Sequence, residues 1–323
     1  MAGCAALARA QEIPVFRTET RLATVQFHVM TGNNYRVNLK ADDFVLLEDG
    51  QPRAMTFFEN AFSERRAVDI SLLFDVSGTV TLLGLLNPAV VQKDLLDDLK
   101  YARLAVSGFE RTMTRYSLPT RDFDPIARAM MSLQSPWRAV AFQLPEKAYP
   151  EPELLPLELP PGRFPPHGGG ATWLYEAVIA GARDAAAFPG DGTHILVVFS
   201  DGLGDTTSEA KDASAVCEEL GIPVYPVVLL AKPGDTNSVR APREEEFASL
   251  GGLTGGKSFV PAALTETMVH NILSSIAGEI RTAYIAGFSP DPPAEKSRKH
   301  TVTVRLRDPK VGKIAGGSRT VVH

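Results

Sequence analysis

The chain is poor in cysteine: only Cys4 and Cys217 occur in 323 residues. No disulfide framework can be built from them, so a small cross-linked secreted scaffold is excluded. Cys217 lies in EAKDASAVCEEL, where Ala210, Ala213, Val216 and Leu220 recur at near-helical spacing. It reads as a small buried hydrophobe rather than a reactive thiol. Basic residues are not in excess either, and the formal net charge is −5. The densest basic stretch, Lys296-Ser297-Arg298-Lys299-His300, reads as a solvated turn. A nucleic-acid binder would carry a concentrated basic surface, so nucleic acid is not expected as a partner. No apolar run has the length of a membrane span, and no transmembrane segment is expected. Aromatic residues make up only 8% of the chain, with Leu, Val, Ala and Ile dominating. That balance favours an α/β core over an all-β shell.

What is present changes rhythm along the chain. Residues 12–65 are β-rich: ETRLATVQFHVM alternates apolar and polar residues, and Asp49-Gly50 marks a hairpin turn. From residue 66 to 287, apolar strands alternate with helical patterns. VDISLLFD and THILVVFSD are continuous apolar runs, as strands buried on both faces are. Asn87-Pro88 opens a helix, and the helix SEAKDASAVCEEL stops at Gly221. Pro226 in IPVYPVVLL predicts an edge strand or a bulge. TETMVHNILSSIAGEIRTAYIAGF places Met268, Ile272, Ile276 and Ile280 on one helical face. The expected fold is α/β, with a doubly wound, mostly parallel sheet covered by helices on both faces. Residues 144–168 are Pro-rich and read as an exposed insertion with polyproline character. Residues 288–323 turn β-like again and are expected to pack with the N-terminal strands as a small accessory unit.

Both buried runs end on an aspartate, Asp75 and Asp201. In a parallel sheet, ligands bind beyond the carboxyl ends of the strands, so these carboxylates share one rim. Ser77 and Thr79 follow Asp75 at once, and Thr172 in GGGATWLYEA stands at the start of a helix. The set is two acids and three hydroxyls, with no imidazole and no thiolate. Oxygen donors alone suit a hard cation such as Mg²⁺, with Mn²⁺ or Ca²⁺ as alternatives.

These residues resemble the von Willebrand factor type A domain and its metal-ion-dependent adhesion site. The family pattern is Asp-x-Ser-x-Ser followed by a separate Thr and a separate Asp. Here it reads Asp75-Val76-Ser77-Gly78-Thr79, then Thr172, then Asp201. Thr79 stands where the family has a second serine; it keeps the hydroxyl and adds a methyl group. LKADDFVLLEDGQPRAMTFFE, GGGATWLYEAV, VVFSDG and TAYIAGFSP are similar to segments of the bacterial von Willebrand type A-related family. The resemblance covers most of residues 20–310. It implies a divalent-cation-dependent protein-binding module whose metal takes an Asp or Glu from a partner protein. The alternative is a metal-free structural or assembly module on the same fold.

Two enzyme readings compete and fail on the residues. GGLTGGKS at 251–258 fits a phosphate-binding loop. That loop needs a strand before it and a helix after, and here the order is reversed, so no nucleotide is expected. A serine hydrolase needs a serine, a histidine and an acid in mutual reach. His28, His270 and His300 show no evident acid partner, and His194 lies at the entry end of its strand. No catalytic residue is assigned, and the chain is not expected to be an enzyme. At the N-terminus, Ala8-Arg9-Ala10 before Gln11 has the form of a signal-peptidase site, though no basic leader precedes it. Residues 1–11 read as the end of a truncated secretion signal, or else as a disordered Ala-rich tail. The first reading implies a periplasmic or secreted bacterial protein.

Overall fold

The computed structural model describes residues 22–63, 66–77, 87–134, 152–157, 172–190, 192–204, 208–229, 240–262, 265–290 and 298–322. The expected signal segment 1–11, Thr79 and most of the Pro-rich stretch 144–168 lie outside these residues.

Five strands come first: β1 (Ala23–Thr31), β2 (Asn34–Tyr35), β3 (Phe44–Glu48), β4 (Gln51–Arg53) and β5 (Phe57–Glu59). An alternating stretch follows: β6 (Ala67–Asp75), α1 (Pro88–Leu96), β7 (Tyr101–Phe109), β8 (Met113–Thr120), α2 (Phe123–Gln134), β9 (Glu153–Leu155) and α3 (Leu174–Ala186). It continues through β10 (Thr193–Ser200), α4 (Ala210–Leu220), β11 (Val224–Val228), α5 (Arg240–Thr254) and α6 (Glu266–Thr282). The last strands are β12 (Tyr284–Phe288), β13 (Lys299–Leu306), β14 (Lys313–Gly316) and β15 (Ser318–Val322). Lys299 and His300 therefore open a strand, not the turn that their charge predicts.

The central sheet has the order β11-β10-β6-β7-β8-β9. β11, β10, β6 and β7 run parallel, whereas β8 and β9 are antiparallel to their neighbours. The sheet is thus mixed. The reason is chain length: β7 ends at Phe109 and β8 begins at Met113, too few residues for a crossover helix. β9 comes from within the Pro-rich stretch and pairs with the start of β8, Met113 opposite Leu155.

Successive side chains of β6 point to opposite faces, and both faces are buried. Ile70, Leu72 and Phe74 pack with Leu95 of α1, Met130 of α2 and Ile272, Ile276 and Ile280 of α6. Leu73 packs on the other side with Val178 of α3, Ala213 and Cys217 of α4 and Phe247 of α5. Burial pushes the Cys217 thiol up to about 12, which fits its reading as a small hydrophobe. Pro226 lies on β11, the edge strand, where a missing amide costs least.

The remaining strands form a five-stranded and a four-stranded sheet around one core of Phe27, Phe44, Tyr284 and Val304. The Phe27 and Phe44 rings meet edge to face at 5.0 Å. Several polar contacts fasten this β unit to the α/β unit, two clusters among them. Arg319 of β15 donates to the carbonyls of Glu218 (2.9 Å) and Glu219 (3.1 Å) at the end of α4, and to Thr24 O of β1 (2.9 Å). It serves carbonyls of the helix's last turn, of which Glu218 O also accepts the Gly221 N–H at 3.1 Å. The chain leaves α4 through Gly221 at φ 71°, where any Cβ would sit 2.2 Å from the guanidinium. Elsewhere on the junction, Glu279 of α6 accepts from Tyr35 Oη and from Lys257 Nζ (2.7 Å) and faces His28 Nε2 at 3.3 Å.

Candidate metal centre

Register brings the predicted acids to one rim. Phe74 of β6 lies opposite Phe199 of β10, so Asp75 and Ser200 end their strands side by side. Asp201 follows directly. On the other flank, Asp75 lies opposite Phe109 of β7, and Val76 N–H donates to Phe109 O (3.0 Å). The residue after Phe109, Glu110, accepts the Trp173 N–H at 2.8 Å. That bond docks the start of α3, with Thr172 immediately before it, on the same end of the sheet. Asp75, Ser77, Thr172 and Asp201 are all buried. The structure therefore gathers the four described members of the predicted set at one end of one sheet; the fifth, Thr79, lies outside the described residues.

Each aspartate folds its own loop. Ser77 N–H donates to Asp75 Oδ1 at 2.9 Å, and Leu203 N–H donates to Asp201 Oδ1 at 2.9 Å. These short side-chain-to-backbone turns are a sufficient reason for an aspartate at either place taken alone. The pair is also linked. Ser200 Oγ–H donates to Asp75 Oδ2 (2.7 Å), while Gly202 N–H donates to the same Ser200 oxygen (3.1 Å). Ser200 is thus a bridge between the two loops.

Electrostatics set Asp75 apart. Burial pushes its carboxyl up to about 6. The Ser77 and Ser200 hydrogen bonds pull the other way, and the negative charge of Asp201 adds to the rise. A cation held between the two carboxylates would relieve both the burial penalty and their mutual repulsion. Among the described residues, no three His, Cys, Asp or Glu side chains gather into a metal cluster. The donors at this rim are instead carboxylate and hydroxyl oxygens, with no soft ligand. That chemistry fits a hard divalent ion that keeps some of its waters.

Sequence reading missed Ser200 and Glu176. Ser200 directly precedes Asp201 in VVFSD, and a hydroxyl ending a buried apolar run was the available signal. Glu176 is a lone acid in the apolar helix LYEAVIAGA; it is 1% exposed and accepts the Ser208 N–H at 2.8 Å. The absence of acid partners for the histidines is corrected. His28 faces Glu279, His270 Nδ1 lies 2.7 Å from Asp94, and His300 Nδ1 lies 2.8 Å from Asp49. Sequence distance hid these pairs: His270 and Asp94 join α6 to α1, and His300 and Asp49 join β13 to the turn after β3.

The GGLTGGKS stretch is built for packing. Gly251 and Gly252 belong to α5, which precedes the loop, and Phe259 beyond it makes a parallel bridge to Val227. A Cβ on Gly256 would sit 2.0 Å from Val224 O, so this glycine is needed for close backbone approach. Lys257 is held by Glu279. The residues directly after the lysine lead into the Phe259 bridge, and the next helix, α6, begins only at Glu266, whereas a phosphate loop runs straight into a helix.

No protein-family model matches the chain, and no curated protein matches it in sequence. Several solved structures are similar in shape at low identity. BatB from Bacteroides thetaiotaomicron is 13% identical over 66% of this chain and 100% of its own, with a TM-score of 0.42. Proximal thread matrix protein 1 from the mussel byssus, with a zinc-occupied MIDAS motif, is 12% identical over 72% of this chain and 49% of its own, with a TM-score of 0.40. Manganese-loaded TRAP protein of Plasmodium vivax is 11% identical over 85% of this chain and 97% of its own, with a TM-score of 0.38. Likenesses of this size assign no family, so the functional reading rests on the rim itself.

Proposed function

We propose that this chain is a divalent-cation-dependent protein-binding module of the von Willebrand type A kind, acting outside the cytoplasm and without catalysis. One observation carries the reading: two buried aspartates from separate strand ends share a rim, Ser200 links Asp75 to the loop of Asp201, and the charge of Asp201 adds to the cost of ionising Asp75. Ser77, Thr79 and Thr172 would offer neutral hydroxyl oxygens as direct ligands. Asp75 and Asp201 would act through bound waters and supply the negative charge. When bound, an Mg²⁺, Mn²⁺ or Ca²⁺ ion supplies a strong local positive charge that neutral ligands leave largely uncancelled. The residues of this rim would hold the ion, and an Asp or Glu of a partner protein would complete its ligands. The second reading, a metal-free structural or assembly module, draws on the loop-folding bonds that each aspartate makes on its own.

Calorimetric titration with Mg²⁺ and Mn²⁺ decides between them. Wild type is expected to bind, and Asp201→Ala to bind at least about tenfold more weakly. Negligible binding by both proteins would overturn the metal reading in favour of the structural one.

A further inference from the structure

Glu176 sits in the first turn of α3, one turn after Thr172, and its side chain is almost wholly buried. Its Oε1 accepts the backbone N–H of Ser208, itself buried, at 2.8 Å. Ser208 closes the loop that Asp201 opens, just before Glu209 caps α4. The same turn of α3 makes a second attachment nearby. Tyr175 faces the charge of Glu246 of α5, and Glu246 Oε1 accepts the Ala210 N–H of α4 at 3.1 Å. At its other end the loop is held by Asp201 Oδ1 on Leu203 N–H, and Arg243 donates to Gly204 O at 3.1 Å.

We infer that Glu176 is a positioning residue for the rim: it fixes the separation of Thr172 from Asp201. Thr172 directly precedes Trp173, whose N–H is tied to Glu110 O just beyond β7, α3 carries Glu176, and Glu176 holds Ser208, the residue before the cap of α4. A water-sized change in that separation would spoil a site that needs near-octahedral geometry. A buried carboxylate in a helix start is costly to keep, and a backbone amide as its partner gives it a structural reason to be there. Reach, rather than charge, is what the loop uses. This inference rests on the metal reading above for its consequence, but its structural half stands on the metal-free protein.

The test compares Glu176→Gln with Glu176→Asp. Gln keeps the acceptor at full reach and removes the charge; Asp keeps the charge and shortens the arm by one methylene. Two readouts are taken: amide hydrogen exchange at Ser208 in chelator-treated protein, and Mn²⁺ affinity by calorimetry. For Glu176→Gln, exchange and affinity are expected to stay within about twofold of wild type. For Glu176→Asp, Ser208 exchange is expected to quicken about tenfold, the loss of one hydrogen bond. Mn²⁺ affinity is expected to fall about tenfold, as when an outer partner of a ligand is removed. The reverse pattern, weak binding by Gln and normal binding by Asp, would make Glu176 a source of charge at the metal and overturn the inference. Unchanged Ser208 exchange in Glu176→Asp would also overturn it. If wild type binds no Mn²⁺, the metal reading fails by itself, and the exchange pattern still decides whether Glu176 holds the loop.

Discussion

Asp69 and Asp75 lie on the same strand, β6, and on the same face of the sheet, yet their surroundings are opposite. At the entry end, Asp69 receives a two-pronged arginine: Arg103 Nε donates to Oδ1 at 2.7 Å and Nη2 to Oδ2 at 2.6 Å. Both oxygens face one guanidinium, which also raises the pKa of Arg103 itself. At the exit end, Asp75 meets an amide, serine hydroxyls and the field of another carboxylate. One end answers a buried acid with a cation from the chain. The other surrounds its acid with neutral groups and a like charge. Among the described residues no arginine bonds Asp75, and this contrast between the two ends is what the proposed cation site draws on.

The largest effect expected from breaking this contrast is on stability at the Asp69 end. Arg103→Met leaves a buried carboxylate without its partner. Because Arg103 is itself partly exposed, the loss is expected at the lower end for such pairs, about 3 kcal/mol by urea unfolding. Metal affinity should not change. Asp75→Asn sharpens the contrast from the other side. In chelator it should shift unfolding by less than about 1 kcal/mol, because the amide oxygen still accepts one of the two hydrogen bonds. Its Mg²⁺ affinity by calorimetry should drop at least about tenfold. Equal stability losses at the two ends would erase the distinction.

The smallest effect concerns pH. His194 Nδ1 lies 3.7 Å from Asp69 Oδ2. Burial holds the His194 pKa below its usual 6.5, the charge of Asp69 works to raise it, and that of Arg103 lowers it again. Its folded pKa is therefore below its unfolded one. On acidification from about pH 6.5 the unfolded chain takes up a proton that the folded chain resists, so stability falls. Urea unfolding between pH 7 and 5 should show a shallower decline in His194→Gln than in wild type.

Much of this was legible in the sequence, for a physical reason. A strand buried on both faces must be apolar throughout, so a carboxylate at its end stands out; VDISLLFD and THILVVFSD announced both the strands and the rim. The mixed character of the sheet was harder to read. β8 carries Arg115 and Tyr116 among polar residues, and β9 is only three residues from a Pro-rich stretch. Neither has a period that separates it from loop. Partners that depend on tertiary approach were invisible as well. Nothing local ties Glu110 to Trp173, Asp94 to His270 or Glu176 to Ser208; the fold alone makes them neighbours.

The bond from Arg319 to Thr24 O spans 295 positions of sequence. Together with the pairing of β1 and β14, it closes the two flanks of the chain on each other beside the α/β unit. A pull on the two flanks of the described chain would enter through β1 and leave through β15, and because β1 pairs with β14, the strand just before β15, the force would cross there without passing along β6 or β10. The rim would stay off the load path, its spacing undisturbed by tension in the backbone.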